Sequence, residues 1–248
     1  MAGIALAPLP LQAMFCPQAC GFGHAVRSAA VSEEEDDPGP LTIDIVGDVT
    51  CPWCFLGKRL VDAVVGSVPG LAVELRWYPF QIDPTLPQEG VDYHAYLAEK
   101  FGADEVSAAL GKIVDAGHEF GLELVVERIA RLPNTFAAHR LIRYSYVYGV
   151  QPQVVERLFQ AHFLQALDIS DSNVLVEVAR KSRMDPEETA RFLAGSEDVA
   201  ALRQEMDDIR KSGVDVVPRF TFGGKIEVVG LQTADVFADA LFNAIPEG

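Results

Sequence analysis

Asp48-Val49-Thr50-Cys51-Pro52-Trp53-Cys54-Phe55-Leu56-Gly57-Lys58-Arg59 is the stretch on which the fold turns. Before it, Leu41-Thr42-Ile43-Asp44-Ile45 alternates apolar and polar side chains, the period of a half-buried strand. After it, Phe55 to Val65 carries Leu56, Leu60 and Val64 on one helical face, and Ser67 to Gly70 breaks the pattern. Val73-Glu74-Leu75-Arg76-Trp77 alternates again, with Val73, Leu75 and Trp77 toward a core. Strand, helix, strand is one βαβ unit, and Asp48 to Cys54 is the loop that feeds its helix.

That position gives the two cysteines a chemistry. Unpaired N–H groups and the macrodipole at a helix N-terminus stabilise a thiolate, which places Cys51 as a nucleophile. Pro52 suits the first helical position, because the N–H it lacks would go unpaired there. Two intervening residues bring Cys54 one turn away, within reach of a disulfide, so Cys54 is placed to resolve a mixed disulfide formed at Cys51. The competing reading is half of a zinc site. A CxxC supplies two of zinc's four ligands, and no second CxxC or HxxxH follows, so no metal is expected.

Further along the chain the period changes. From Asp92 to about Gly213 the patterns are helical, over 92–101, 104–120, 135–149, 152–165, 172–182, 186–194 and 197–212, with 122–131 open between a short strand and a loop. Ser170 or Asp171, and Asp185, are good N-caps, and Pro186 fits a first helical position. Then Val217-Pro218-Arg219-Phe220-Thr221-Phe222 alternates, Gly223-Gly224 predicts a two-residue hairpin turn, and Lys225-Ile226-Glu227-Val228-Val229 alternates back. Thr233 is placed to cap a last helix with Val236, Phe237, Ala240, Leu241 and Ala244 on its inner face. The order is βαβ, a helical block, then ββα: the α/β order of a thioredoxin fold with an all-helical domain inserted in its middle. The divisions expected are 1–40, 41–90 for the first half of the fold, 91–212 for the insertion and 213–248 for the second half.

Composition excludes several functions. With 36 acidic against 20 basic residues the net charge is −16, which repels phosphate backbones and anionic membranes. No apolar run reaches 18 residues, so no membrane span is expected. Residues 1–32 hold no acid and a single Arg or Lys, Arg27, and Glu33-Glu34-Glu35-Asp36-Asp37-Pro38-Gly39-Pro40 reads as a solvated linker. Pro8 and Pro10 interrupt the segment and no early charge opens it, unlike a secretory signal. It is read as a disordered tail with a cytoplasmic protein behind it. The alternative is a transit peptide to a plastid or mitochondrion. Cys16 and Cys20 form a CxxxC pair in that tail and read as incidental to the Cys51/Cys54 chemistry.

Four blocks resemble a known group. Asp48 to Arg59 is similar to the active-site stretch of the FrnE-like branch of the DsbA oxidoreductases. Trp77-Tyr78-Pro79-Phe80-Gln81-Ile82-Asp83-Pro84 resembles the segment after that family's second strand. Asn134-Thr135 to His139-Arg140-Leu141 resembles its motif in the helical insertion, and Val217-Pro218 with Gly230-Leu231-Gln232 its ending. The resemblance implies Cys51 as nucleophile with Cys54 its partner, and a cis-proline at Pro218. It implies substrate contacts from Pro52, Trp53 and the backbone of Val217, and it turns Asn134 and His139 toward the cleft. Val216 stands where the family usually has Gly, which narrows the approach to the sulfurs. No cofactor is implied beyond a Cys51–Cys54 redox disulfide, with glutathione as a conceivable co-substrate. The partners implied are a disulfide-bearing protein or small molecule and a thiol redox partner. Two rival readings remain at this level: a glutathione-dependent isomerase or transferase of the same superfamily, similar to 2-hydroxychromene-2-carboxylate isomerase, and a non-catalytic thioredoxin-fold chaperone.

Overall fold

The computed structural model describes residues 39–246, so Cys16, Cys20 and the segment around them lie outside the described residues. Strand β1 (Leu41–Gly47) shows the alternation its sequence carries, with Leu41, Ile43, Ile45 and Gly47 buried and the residues between them half-buried. Helix α1 (Pro52–Gly66) returns the chain to β2 (Val73–Pro79), which runs parallel to β1 from Leu41↔Val73 to Gly47↔Pro79. Near the other end of the chain, β5 (Arg219–Phe222) pairs antiparallel with β1, and β6 (Ile226–Val229) antiparallel with β5. The sheet order is β2-β1-β5-β6, with β1 at its centre. The last helix, α9 (Ala234–Ala244), packs on α1, and its Phe237 ring meets Phe220 and Phe222 edge-on.

Between β2 and β5 come α2 (Tyr93–Phe101), α3 (Ala103–Glu119), α4 (Phe136–Tyr146), α5 (Gln151–Phe159), α6 (Ser172–Lys181), α7 (Pro186–Ala194) and α8 (Val199–Lys211). Each falls within three residues of the pattern that predicts it, α5 once the π turn that continues it to Leu164 is counted. The open stretch resolves into a 3-10 turn (Val126–Arg128) and a two-residue strand, β4 (Arg131–Leu132), paired with β3 (Val91–Asp92). Two-residue strands carry no readable period. Past α5 the helix widens into a π turn over Gln160–Leu164.

The segment is bound to the sheet by more than one kind of contact. Phe55 of α1 stacks on Phe159 at 5.0 Å, and Trp77 of β2 meets Phe159 edge-on. Buried Lys58 reaches Glu156 of α5 at 3.1 Å and Asp62 of its own helix at 2.6 Å. On β2 the Gln151 side chain acts as a missing strand: its Oε1 accepts the Trp77 N–H at 2.8 Å and its Nε2 donates to the Trp77 carbonyl at 3.3 Å. That satisfies an edge whose backbone groups would otherwise be buried without partners.

Three local expectations need correction. Helix α1 begins at Pro52 rather than Phe55, because Cys51 caps it and Pro52 suits its first position, so Cys54 lies inside the helix. The β5–β6 loop has three residues, Gly223 to Lys225, between paired Phe222 and Ile226. Both glycines take positive φ, and the Lys225 N–H closes the turn on the Phe222 carbonyl. Thr233 sits at the start of α9 but its side chain makes no capping bond, whereas Asp171 and Asp185 cap α6 and α7 through the N–H groups of Asn173 and Glu188. No helix among the described residues is long and apolar enough to cross a membrane.

Candidate active site

Cys51 is the N-cap of α1, in extended backbone, and its Sγ accepts the Cys54 N–H at 3.3 Å. Its own N–H is bonded to the Asp48 carbonyl at 3.1 Å, which fixes the loop against the end of β1. Both cysteines are unbonded thiols, Cys51 at 3% exposure and Cys54 fully enclosed. Burial pushes the Cys54 thiol well up, and the neighbouring Cys51 adds to the effect. The two sulfurs are thus chemically unequal: one caps the helix N-terminus, the other is fully enclosed inside the helix and held as a thiol.

The walls around them are tight. A Cβ built on Gly47 would lie 3.0 Å from Cys54 Sγ and 2.9 Å from the Trp77 ring, so only a glycine lets strand, indole and sulfur meet. One turn beyond Cys54, a Cβ on Gly57 would lie 2.7 Å from the Phe220 ring and 3.4 Å from Pro218 Cγ. Gly57 therefore lets β5 lie against α1 and brings Pro218 onto the helix that carries the sulfurs. The Val217–Pro218 peptide is cis. Pro218 is buried, Val217 half-buried and Val216 exposed, while Trp53 stands 38% exposed in the first turn of α1. Cys51, Pro52, Trp53 and Cys54 thus open one helix, and Pro218 lies against its second turn at Gly57.

Asn134 and His139 take a different place from the one the resemblance implies. His139 is fully enclosed, so its ring does not line an open cleft: Nε2 donates to the Phe80 carbonyl at 3.1 Å and lies 3.6 Å from Asp48 Oδ1. Asn134 is spent on structure. Its Oδ1 accepts from Gln81 Nε2 and the Phe136 N–H, and its Nδ2 donates to the Leu86 carbonyl. Both hold the loop after β2 in place, as does Arg210, which bonds the Gln81 carbonyl and lies over the Phe80 ring.

One residue of the site was missed. Asp48, just past β1, is a buried carboxylate whose Oδ2 accepts the Ile82 N–H at 2.8 Å and whose Oδ1 accepts the Thr50 N–H at 3.3 Å. Burial works to raise its carboxyl, but His139 and these two amides outweigh burial and hold it below the usual carboxylate range. The signal available was a lone acid three residues before the first cysteine, in a run otherwise read as loop. His162 on the π turn is enclosed with neither ring nitrogen paired, and burial drives its pKa down to about 4. Among the described residues no three His, Cys, Asp or Glu side chains cluster to hold a metal.

Comparison with known proteins agrees with this architecture. The family model of the DSBA-like thioredoxin domain matches residues 42–242. The chain is 23% identical over 200 residues to the uncharacterized protein YwbO of Bacillus subtilis, covering 80% of this chain and 94% of that one. The crystal structure of a probable DsbA oxidoreductase from Streptomyces coelicolor is similar with a TM-score of 0.74 at 25% identity, over 82% of this chain and 89% of that one. A 2-hydroxychromene-2-carboxylate isomerase shares the fold, with a TM-score of 0.63 at 13% identity over 82% of this chain and 95% of that one.

Proposed function

This chain belongs to the DSBA-like thioredoxin domain family, and on that premise we propose that it is an oxidoreductase exchanging disulfides through Cys51 and Cys54. The observation that carries the reading is the inequality of two adjacent sulfurs, Cys51 capping the helix and Cys54 sealed one turn inside it. Cys51, as thiolate, attacks a substrate disulfide R–S–S–R′. A Cys51–S–S–R bond forms, the S–S bond breaks, and R′–S⁻ leaves and takes up a proton. Cys54 then loses its proton and attacks the Cys51 sulfur, releasing R–S⁻ and closing the Cys51–Cys54 disulfide. The protein has given up two electrons and the substrate has gained them. A thiol couple of the glutathione class resets the pair.

Pro52, Trp53 and Val217 are the surfaces proposed to meet the substrate, a disulfide-bearing protein or small molecule. Val217 precedes the first ladder pair of β5, Arg219↔Val46, which leaves its backbone outside the sheet register. A reducing compartment such as the cytoplasm suits such an exchange. The isomerase or transferase reading and the chaperone reading both leave Cys54 without a task, and the contact between the two cysteines favours exchange over either.

The test is the reduction midpoint of the full chain carrying Cys16→Ser and Cys20→Ser, titrated against glutathione and followed by tryptophan fluorescence. Trp53 is in the motif, and Trp77 shares the Gly47 wall with Cys54. A two-electron transition abolished by Cys51→Ser supports exchange. Intact thiols with no transition overturn it, and glutathione-dependent isomerase activity would then be assayed.

A further inference from the structure

Two stretches of chain flank the loop that carries the cysteines, one from each strand beside β1. On the β2 side the Ile82 N–H is bonded to Asp48 Oδ2 at 2.8 Å, and the Asp48 carbonyl accepts the Cys51 N–H at 3.1 Å, which holds Ile82 next to the motif. On the other side the antiparallel ladder of β5 on β1 ends at Arg219↔Val46. Residues 215–218 therefore run on past the end of β1, alongside the loop from Asp48 to Cys51. Pro218 of this stretch lies against Gly57, on the helix that Cys51 caps.

Both flanks turn apolar side chains to solvent. Ile82 is 51% exposed, Val216 49%, and Trp53, on the motif itself, 38%. An exposed apolar residue by itself needs no explanation, but three from three elements around one reactive sulfur form a contact surface. The charges beside them are unequal. Asp83 is occupied by Tyr96, Thr85 and Lys100, Arg210 by the Gln81 carbonyl and the Phe80 ring, and Arg219 by Glu227 at 3.0 Å. Asp215, next to Val216, is exposed, and its carboxylate makes no ion pair or hydrogen bond among the described residues. The rim thus presents an unpaired negative charge, on a chain whose net charge is −16.

Resting on the exchange reading above, we propose that the mouth of the site selects disulfides carried by apolar, cationic peptide segments. Ile82 and Val216 receive apolar side chains next to the half-cystine, and Asp215 pairs with a lysine or arginine beside it. An apolar segment gains by covering the exposed rim. The pull of Asp215 on a cation fades over about 10 Å at 0.1 M salt, so it is local and salt-sensitive. An acidic segment meets both Asp215 and the field of the whole chain and is turned away. The reduced protein then gives two electrons and two protons to the peptide: the peptide S–S bond breaks, its two thiols form, and the Cys51–Cys54 disulfide closes.

The experiment follows a single turnover of the reduced Cys16→Ser/Cys20→Ser chain by chromatography of the released peptide thiol. The peptide disulfides share one length and carry leucine and lysine, leucine and glutamate, or serine and lysine beside the cysteine. A neutral hydroxyethyl disulfide is run beside them. Each rate is divided by that of dithiothreitol on the same disulfide, which removes the effect of the flanking charge on the peptide sulfurs themselves. The leucine–lysine peptide is expected to exceed the leucine–glutamate one about fivefold at low ionic strength, the size of one close charge pair in water. That margin closes in about 0.5 M salt. Asp215→Asn lowers it, whereas Asp239→Asn, the same charge removed from the middle of α9, keeps it. The leucine–lysine peptide also exceeds the serine–lysine one several-fold, and Ile82→Ser with Val216→Ser removes that difference. Equal normalised rates for the lysine and glutamate peptides overturn the proposal, as do equal rates for the leucine and serine peptides. A lysine preference that survives Asp215→Asn, or that Asp239→Asn removes as well, overturns it too. Failure of every disulfide, the neutral one included, to oxidise the dithiol removes the exchange reading first, and this inference with it.

Discussion

Cys51 Sγ accepts the backbone N–H of Cys54 at 3.3 Å, so the first sulfur of the motif caps the helix that carries the second. Structure and chemistry therefore separate by substitution. Cys51→Ser keeps a good capping oxygen and should leave stability within a few tenths of a kcal/mol. Cys51→Ala should lose about 1 kcal/mol with the cap. Exchange is lost in both. Urea unfolding checks the first pair of outcomes and disulfide reduction the second. Cys54→Ser should instead accumulate a mixed disulfide at Cys51, visible by mass.

The two glycines on either side of the sulfurs predict a graded cost. Gly47→Ala forces a methyl onto Cys54 Sγ and the Trp77 ring, and Trp77 is itself wedged on Phe159. A loss of about 1–3 kcal/mol is expected, as for overpacked cores. Gly57→Ala meets the enclosed Phe220 ring, but alanine regains about 1 kcal/mol of helix propensity. The second variant should be the milder in urea melts. Equal costs would mean that β5 yields to the methyl as little as Trp77 does.

His162 predicts acid sensitivity. Its ring is enclosed, and the nearby Leu167 amide is bonded to the Ala161 carbonyl instead. The folded pKa of about 4 lies below the ordinary 6.5. As pH falls from about 6.5 to about 4, the unfolded chain takes up a proton that the folded one refuses. Stability is lost across that window, on the order of 3 kcal/mol at most. His162→Leu should flatten this limb of the stability–pH curve and cost little at pH 8, where no proton is at stake. An unchanged limb would show that the ring is solvated on folding.

Gln151 predicts how tightly the helical segment is fastened to the sheet. Its amide both accepts from and donates to Trp77. Gln151→Glu keeps the acceptor, loses the donor and buries a charge, so it should cost more than Gln151→Ala, which strands one buried amide and one carbonyl at about 1–3 kcal/mol. Unfolding monitored by Trp77 fluorescence distinguishes the two.

Much of this molecule could be read along the chain, for a reason tied to range. The alternation at Leu41–Ile45, the face of Leu56, Leu60 and Val64, and the caps at Asp171 and Asp185 are set by residues within a turn or a strand of one another. Each survives folding because local geometry and burial demand the same thing. The motif itself is local in the same sense: Cys51 caps, Pro52 opens and Cys54 follows within one turn of one helix. Where an expectation failed, at Thr233 or the three-residue hairpin loop, a single side chain or residue decided between near-equal local solutions.

The sequence by itself determined the order of elements, the place of the two cysteines and the family resemblance. Tertiary structure alone decided what holds the loops on either side of the motif-bearing strand end. Asp48, Phe80 and His139 belong to three separate stretches, the last two 59 residues apart, and no local period links them. They meet because α4 packs over the loop after β2, and burial then obliges each polar group to find a partner. The same holds for Gly47 beside Trp77, Gly57 beneath Phe220 and Gln151 on the edge of β2. Long-range contacts of this kind leave no pattern in the chain, since the demand they satisfy arises only once water has been excluded.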